Sequence, residues 1–203
     1  IYTCYLQQEP TNKLLSVLRE YTTKYQLPYY DYRTHTGWLR NAVIRIARTG
    51  EILVNIVMQH ENKPYRTALL DHLIKEIPEI TTLHYTFNPK VNDSIYDLEV
   101  HTYSGKGYIE ETLENFRFKI SPKSFFQTNT HQAENLYRIT REFAGLTGNE
   151  VLYDLYCGTG SIGIFCSGNV KKVIGIEVVA DAIADAKINA ALNGLDKCHF
   201  YAG

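Results

Sequence analysis

The chain has 203 residues, of which 44% are hydrophobic and 21% are charged, and its formal net charge at pH 7 is −1. This composition is typical of a globular protein, and no apolar run approaches the length that spans a bilayer. Proteins that bind nucleic acid are usually more basic, so the charge gives no support for such a partner, although a local patch could provide one.

The first 120 residues predict an α+β domain with a mostly antiparallel sheet. Apolar residues recur at helical spacing over 11–26 and again from Pro64 to Pro78, which predicts two helices. Gly50 lies in the short connection between the first two strand-like runs and indicates a hairpin. The predicted strands of this region cover residues 38–47, 52–59, 80–87, 98–103, 108–112 and 116–120.

The remaining residues, 121–203, predict the beginning of a Rossmann-like domain. A linker over 121–130 leads into a helix over 131–144. Three strands then alternate with two helices: strand 151–156, helix 161–167, strand 172–177, helix 180–192 and strand 198–202. This alternation is typical of a parallel α/β sheet. Three parallel strands are an unfinished half of a doubly wound fold, so we expect the chain to be a fragment cut inside its catalytic domain.

A glycine turn follows the first of these strands, and its spacing predicts a nucleoside cofactor. Gly158, Gly160 and Gly163 satisfy the pattern G-x-G-x-x-G, and Glu177 ends the next strand, where its carboxylate can accept the hydroxyls of a ribose. Asp154 ends the first strand and would repel a diphosphate at the helix start, whereas a cationic amino group would attract it. We therefore favour S-adenosylmethionine. Two alternatives remain: NAD as the cofactor, and Asp154 as a cap of the turn.

Two further features have a structural and a functional interpretation. Gln127 in the linker can either satisfy backbone groups at a packed junction or reach a ligand at the carboxyl edge of the sheet. Four arginines cluster in sequence in the first domain, where they are either solvated surface charges or RNA contacts. These arginines are Arg33, Arg40, Arg45 and Arg48.

The four cysteines predict no metal site, because none of them forms a Cys-x-x-Cys pair. They are Cys4, Cys157, Cys166 and Cys198. Reduced, buried thiols are typical of a cytosolic protein, so we expect a cytoplasmic location. Cys157 lies in the glycine turn, and we interpret it as structural because no His-rich surroundings support catalysis.

Two stretches carry a resemblance to a known family. Residues 118–137 contain Ser124-Phe-Phe-Gln-Thr-Asn129, and residues 154–160 read Asp-Leu-Tyr-Cys-Gly-Thr-Gly. Together they closely resemble the bacterial RNA 5-methyluridine methyltransferases, and above all the branch that acts on 23S rRNA. The tRNA branch typically has a proline after the glutamine, whereas Thr128 follows Gln127 here.

The resemblance implies an S-adenosylmethionine-dependent enzyme that methylates C5 of a uridine in RNA, with 23S rRNA favoured over tRNA as the partner. It implies cofactor contacts at Gln127, Tyr156, Ser161 and Glu177, to which the residue pattern adds Asp154. It implies neither a membrane nor a protein partner.

The same resemblance locates catalysis outside these residues. Family members use a cysteine nucleophile in a Ser-Cys-Asn-Pro motif and a separate Asp-Pro-Pro-Arg motif, and neither occurs in this sequence. We therefore predict no catalytic residue here and expect the chain alone to be inactive. The competing hypotheses are an NAD-dependent oxidoreductase domain and a non-catalytic RNA-binding module.

Overall fold

The structure is a computed structural model that describes residues 3–203. These residues divide into two units, one formed by 3–46 with 50–109 and the other by 47–49 with 110–203. No helix within residues 3–203 is both long and apolar enough to cross a membrane.

The first unit is a four-stranded sheet with two helices. Its elements are α1 (Thr11–Lys24), β1 (Leu39–Ile46), β2 (Ile52–Met58), α2 (Lys63–Glu76), β3 (Thr82–Phe87) and β4 (Val100–Ser104). The strands lie in the order β1-β2-β3-β4. The outer two pairings are antiparallel, as predicted, but β2 and β3 pair in parallel. The parallel pair follows from α2, which returns the chain to the starting edge of the sheet.

The core of this unit lies between the helices and one face of the sheet. Every residue of β2 is buried, which agrees with its apolar sequence, interrupted by the buried Asn55 alone. Helix α2 begins where Asn62 accepts a hydrogen bond from the Tyr65 N–H and Pro64 occupies the first turn. It ends before Pro78, which cannot continue a helix. Helices α1 and α2 contribute Leu14, Leu18, Leu69, Leu70 and Leu73 to the core.

Arg40 has a structural role in the first unit. Its side chain is fully buried, and its guanidinium lies 3.9 Å from the centre of the Tyr30 ring. It donates hydrogen bonds to the backbone carbonyls of Asn88 and Asn92 and pairs with Asp93 at 3.0 Å. The interpretation of this arginine as a solvated surface charge is therefore wrong, because it holds the loop after β3.

The second unit contains a hairpin, three α-helices and a three-stranded parallel sheet. Its elements are β5 (Ile109–Leu113), β6 (Phe116–Ile120), α3 (Thr130–Phe143), β7 (Val151–Leu155), α4 (Ser161–Phe165), β8 (Lys172–Glu177), α5 (Ala180–Leu192) and β9 (Cys198–Ala202). A turn of 3-10 helix over Cys166–Asn169 continues α4. The sheet order is β7-β8-β9, with both pairings parallel. This is the α/β architecture that the alternation of strands and helices predicted.

The hairpin β5–β6 belongs to the second unit, although the sequence-based division at residue 120 assigned it to the first. The reason is the edge of β6 that does not pair with β5, because its backbone is hydrogen-bonded to side chains of α5 and of the C-cap residue of that helix. The Arg117 N–H donates to Asn193 and the Lys119 N–H donates to Asn189. The strand is thus fixed to the second unit by its backbone.

One face of the parallel sheet is open to solvent. Asp154 points towards α4, since its carboxylate bonds the Gly163 N–H, and alternation along β7 directs its neighbours to the opposite face. Four large apolar side chains of that face are between 41% and 61% exposed. They are Val151, Tyr153 and Leu155 on β7 and Tyr201 on β9.

Candidate nucleoside-binding site

A pocket of about 210 Å³ lies at the carboxyl ends of the parallel strands. Leu155 pairs with Ile176, and Glu177 pairs with Ala202, so the three strand ends share one edge. Ligands of open α/β sheets bind at this edge. The pocket is lined by Leu155, Tyr156, Ile176, Glu177, Val178 and Gly203.

Glu177 is held in place by two backbone donors. Its Oε2 accepts the Gly158 N–H at 3.1 Å, and its Oε1 accepts the Val179 N–H at 3.0 Å. Each carboxylate oxygen retains a second acceptor position. The structure therefore presents a fixed pair of acceptors at the pocket wall, which suits two neighbouring hydroxyl groups such as those of a ribose.

The glycine turn rests on the ring of Phe200. Gly158 and Gly160 adopt the left-handed conformation, with φ of 53° and 76°, which L-residues with a Cβ rarely adopt. A Cβ on Gly160 would lie 2.7 Å from the Phe200 ring, and one on Gly175 would lie 2.3 Å from it. The ring thus occupies the space that these two glycines leave open. Because Phe200 belongs to β9, the position of β9 determines where the turn can lie.

Asp154 binds the first turn of α4. Its Oδ2 accepts the Gly163 N–H at 2.8 Å. Burial raises the pKa of this carboxyl above its usual value, although the Gly163 bond lowers it in part. The carboxylate occupies one of the N–H donors that a diphosphate would need at this helix start. The capping alternative is therefore realised in the structure, while contact of Asp154 with a cofactor remains a prediction.

The negative charge of this region affects the pKa of Cys157. Burial, and then the charges of Asp154 and Glu177, raise the pKa of the Cys157 thiol to about 12. A thiol with such a pKa stays protonated at neutral pH and is a poor nucleophile. This electrostatic environment favours a cationic ligand group and agrees with a structural role for Cys157.

Tyr156 has a strained backbone at the pocket. Its φ is 60°, its side chain is 89% exposed, and it contributes to the pocket wall. A bulky residue in the left-handed region costs about 1–2 kcal/mol. Strain of this kind at the end of a strand is typical of a functional position.

The other predicted cofactor residues lie near the turn or in the linker. Ser161 begins α4, and its hydroxyl shares a 3.1 Å hydrogen bond with that of Tyr137. Gln127 is exposed in the linker and is not one of the residues that line this pocket. The structure thus places Tyr156 and Glu177 in the wall of the pocket, and Gly158 is hydrogen-bonded to Glu177. The cofactor roles of Ser161 and Gln127 remain predictions.

Two residues that support the site escaped sequence analysis. Phe200 packs under the glycine turn, and the buried Asn189 bonds the Thr159 carbonyl inside that turn. The available signal was the spacing of Asp185, Asn189 and Asn193, a polar row with a period of four on a largely apolar helix. Within residues 3–203, no group of three His, Cys, Asp or Glu side chains is arranged to hold a metal ion.

The parallel sheet, the glycine turn and the fixed carboxylate define a nucleoside-binding α/β domain. The sequence pattern of the tRNA (uracil-5-)-methyltransferases matches residues 100–202. The chain belongs to this family.

Relatives of the whole chain carry related descriptions. Proteins described as uncharacterized RNA methyltransferases from Bacteroides thetaiotaomicron and Porphyromonas gingivalis are each 46% identical and match 100% of this chain. The chain spans 45% and 44% of their lengths, which is less than half of these curated relatives.

Solved structures share the fold. The tRNA (uracil-54, C5)-methyltransferase of Pyrococcus abyssi, crystallised with S-adenosyl-L-homocysteine, is 28% identical with a TM-score of 0.81, and the match covers 100% of this chain and 49% of that one. The tRNA m1G37 methyltransferase of M. jannaschii has a TM-score of 0.54 at 17% identity over 92% of this chain and 51% of that one, which is a likeness of fold alone.

Proposed function

We propose that these residues form the cofactor-binding part of an S-adenosylmethionine-dependent enzyme that methylates C5 of a uridine in RNA. The observation that carries the proposal is the Glu177 carboxylate, fixed by two backbone N–H groups at the wall of the pocket. Family membership supports the reaction. The S-adenosylhomocysteine named with the Pyrococcus abyssi enzyme supports the cofactor.

The residues of the site fit such a cofactor. When bound, S-adenosylmethionine supplies the methyl group through its sulfonium. Glu177 would accept the ribose hydroxyls, Tyr156 would cover the open side of the pocket, and Asp154 would add negative charge near the cationic groups. NAD fits less well, because the carboxylate of Asp154 occupies a first-turn donor of α4.

We further propose 23S rRNA in the cytoplasm as the substrate, with the first unit as the candidate RNA contact. Thr128 after Gln127 supports the rRNA branch by resemblance. The four cysteines are free, as in a reducing compartment. Because the family description and the Pyrococcus abyssi neighbour both name tRNA, the substrate test must include both kinds of RNA.

These residues alone are proposed to bind the cofactor without transferring its methyl group. The Ser-Cys-Asn-Pro motif is not part of the sequence, and the high pKa of Cys157 disfavours its use as a substitute nucleophile.

Calorimetric titration of the chain with S-adenosylmethionine, S-adenosylhomocysteine, adenosine and NADH tests the cofactor. The first two ligands are expected to bind and NADH is not. Binding of NADH without binding of either S-adenosyl compound would reverse the assignment.

Radiolabelled methyl transfer to 23S rRNA and to tRNA, measured with this chain and with a longer protein containing it, tests the reaction. Turnover by the chain alone would contradict the proposed inactivity, and preferential turnover of tRNA by the longer protein would contradict the rRNA assignment.

Replacing Tyr156 by glycine is expected to weaken S-adenosylhomocysteine binding about fivefold, because an aromatic wall is lost. The free energy of unfolding is expected to change by less than about 1 kcal/mol. Relief of the left-handed strain stabilises the fold, while the extra freedom of glycine in the unfolded chain opposes it. Calorimetry and chemical denaturation measure the two quantities.

Gln26→Gly is the matched control for Tyr156→Gly. Gln26 is also left-handed, with φ of 51°, but it follows α1 in the first unit. The control should show the same small change in stability with unchanged binding. A Tyr156→Gly variant that binds as well as the wild type would remove Tyr156 from the site.

A further inference from the structure

Three polar side chains form a row along α5 and its C-cap residue, Asn193. Asp185, Asn189 and Asn193 follow one another at intervals of four residues, which places them on one face of the helix. Asp185 is buried, and Asn189 has no exposed surface. Burying an amide is unfavourable unless its donors and acceptors are satisfied, so the partners of these groups indicate what the row does.

Asn193 and Asn189 take the place of a neighbouring strand along β6. The Arg117 N–H donates to Asn193 Oδ1 at 2.8 Å, and Asn193 Nδ2 donates back to the Arg117 carbonyl at 2.7 Å. One residue pair further along, the Lys119 N–H donates to Asn189 Oδ1 at 2.7 Å. The amides thereby satisfy the edge of the hairpin.

Asn189 makes one contact that Asn193 does not make. Its Nδ2 donates a buried 3.1 Å hydrogen bond to the carbonyl of Thr159, which lies between the two left-handed glycines. An amide is needed to accept from Lys119 and donate to Thr159 at the same time, because a carboxylate cannot donate. One side chain thus joins the hairpin to the glycine turn.

We propose that Asn189 is a positioning residue for the cofactor. By holding the Thr159 carbonyl, it fixes the turn whose Gly158 N–H in turn holds Glu177 Oε2 at 3.1 Å. Asn189 lies outside the pocket lining and acts through this chain of hydrogen bonds. The inference rests on the proposed function, since it assumes that the pocket binds an S-adenosyl ligand.

The test compares Asn189→Ala and Asn189→Asp with Asn193→Ala in the full chain. Asn189→Asp keeps the acceptor for Lys119 but loses the donor to Thr159, and Asn193→Ala loses bonds to the hairpin without touching the turn. S-adenosylhomocysteine affinity is measured by calorimetry, and hydrogen exchange is followed in peptides that cover residues 157–161.

Both Asn189 variants are expected to lower affinity about five- to tenfold, the effect of one buried hydrogen bond, and to speed exchange in the turn. Asn193→Ala is expected to do neither. Equal losses in all three variants, or wild-type behaviour of Asn189→Asp, would overturn the proposal. If the wild type binds no S-adenosylhomocysteine, the proposed function fails, while the exchange comparison still decides whether Asn189 positions the turn.

Discussion

The variant Glu177→Gln is expected to bind S-adenosylhomocysteine about ten- to a hundredfold more weakly than the wild type. The carboxylate accepts the N–H groups of Gly158 and Val179 with separate oxygens. A glutamine can match only one of them, and its NH₂ group would oppose the other donor. Hydrogen bonds to charged groups contribute about 1.5–3 kcal/mol, which corresponds to that range of affinity. Calorimetric titration at neutral pH provides the measurement.

Glu150→Gln is the control for Glu177→Gln. Glu150 also accepts two backbone N–H groups, from Thr147 and Gly148, but it precedes β7 at the opposite edge of the sheet. The control should retain its affinity for S-adenosylhomocysteine even where its melting temperature falls. Equal affinities of Glu177→Gln and the wild type would show that the ligand does not use this carboxylate.

Gly175→Ala is expected to destabilise the protein by roughly 1–3 kcal/mol or more, the usual cost of overpacking a core. An added Cβ would lie 2.3 Å from the Phe200 ring and 2.9 Å from Cys157 Sγ, so the neighbours must move. A loss of this size lowers the melting temperature of a unit of about 100 residues by roughly 5–20 °C. Differential scanning calorimetry measures the shift.

Two further variants separate steric crowding from a general effect of alanine. Gly168→Ala adds a Cβ into open space and should leave the melting temperature almost unchanged. Phe200→Leu is expected to destabilise alone but to recover part of the loss when combined with Gly175→Ala, because the ring that causes the clash becomes smaller. Additive losses in the double variant would mean that Gly175 and Phe200 are not coupled.

Local patterns predicted the elements of this protein closely, since helical and strand periodicities are properties of neighbouring residues. The parallel pairing of β2 and β3 was not predicted, although the helix between them was the available signal. The boundary near residue 109 was missed because it depends on hydrogen bonds that the backbone of β6 donates to Asn189 and Asn193, which lie 70 and 76 positions further along the sequence.

In the candidate site, too, features with a local sequence signature were predictable and features that depend on tertiary packing were not. The glycine turn and Glu177 were predictable, because left-handed backbone and an acid at the end of the second strand leave a local signature. The support given by Phe200 and Asn189 was not, because it arises only when β9 and α5 pack against the turn. The position of Gln127 likewise depends on the path of the linker, which no periodic pattern specifies.

The open face of the parallel sheet affects how the protein can be handled. Four exposed large apolar side chains lie on it, from Val151 to Tyr201, and contiguous apolar surface of this kind promotes association. Purified residues 1–203 are therefore expected to be colloidally unstable at high concentration and to bind hydrophobic dyes. Lysine in place of Tyr153 is the simplest way to improve solubility, because Tyr153 lies on this face without lining the pocket, whereas Leu155 lines it.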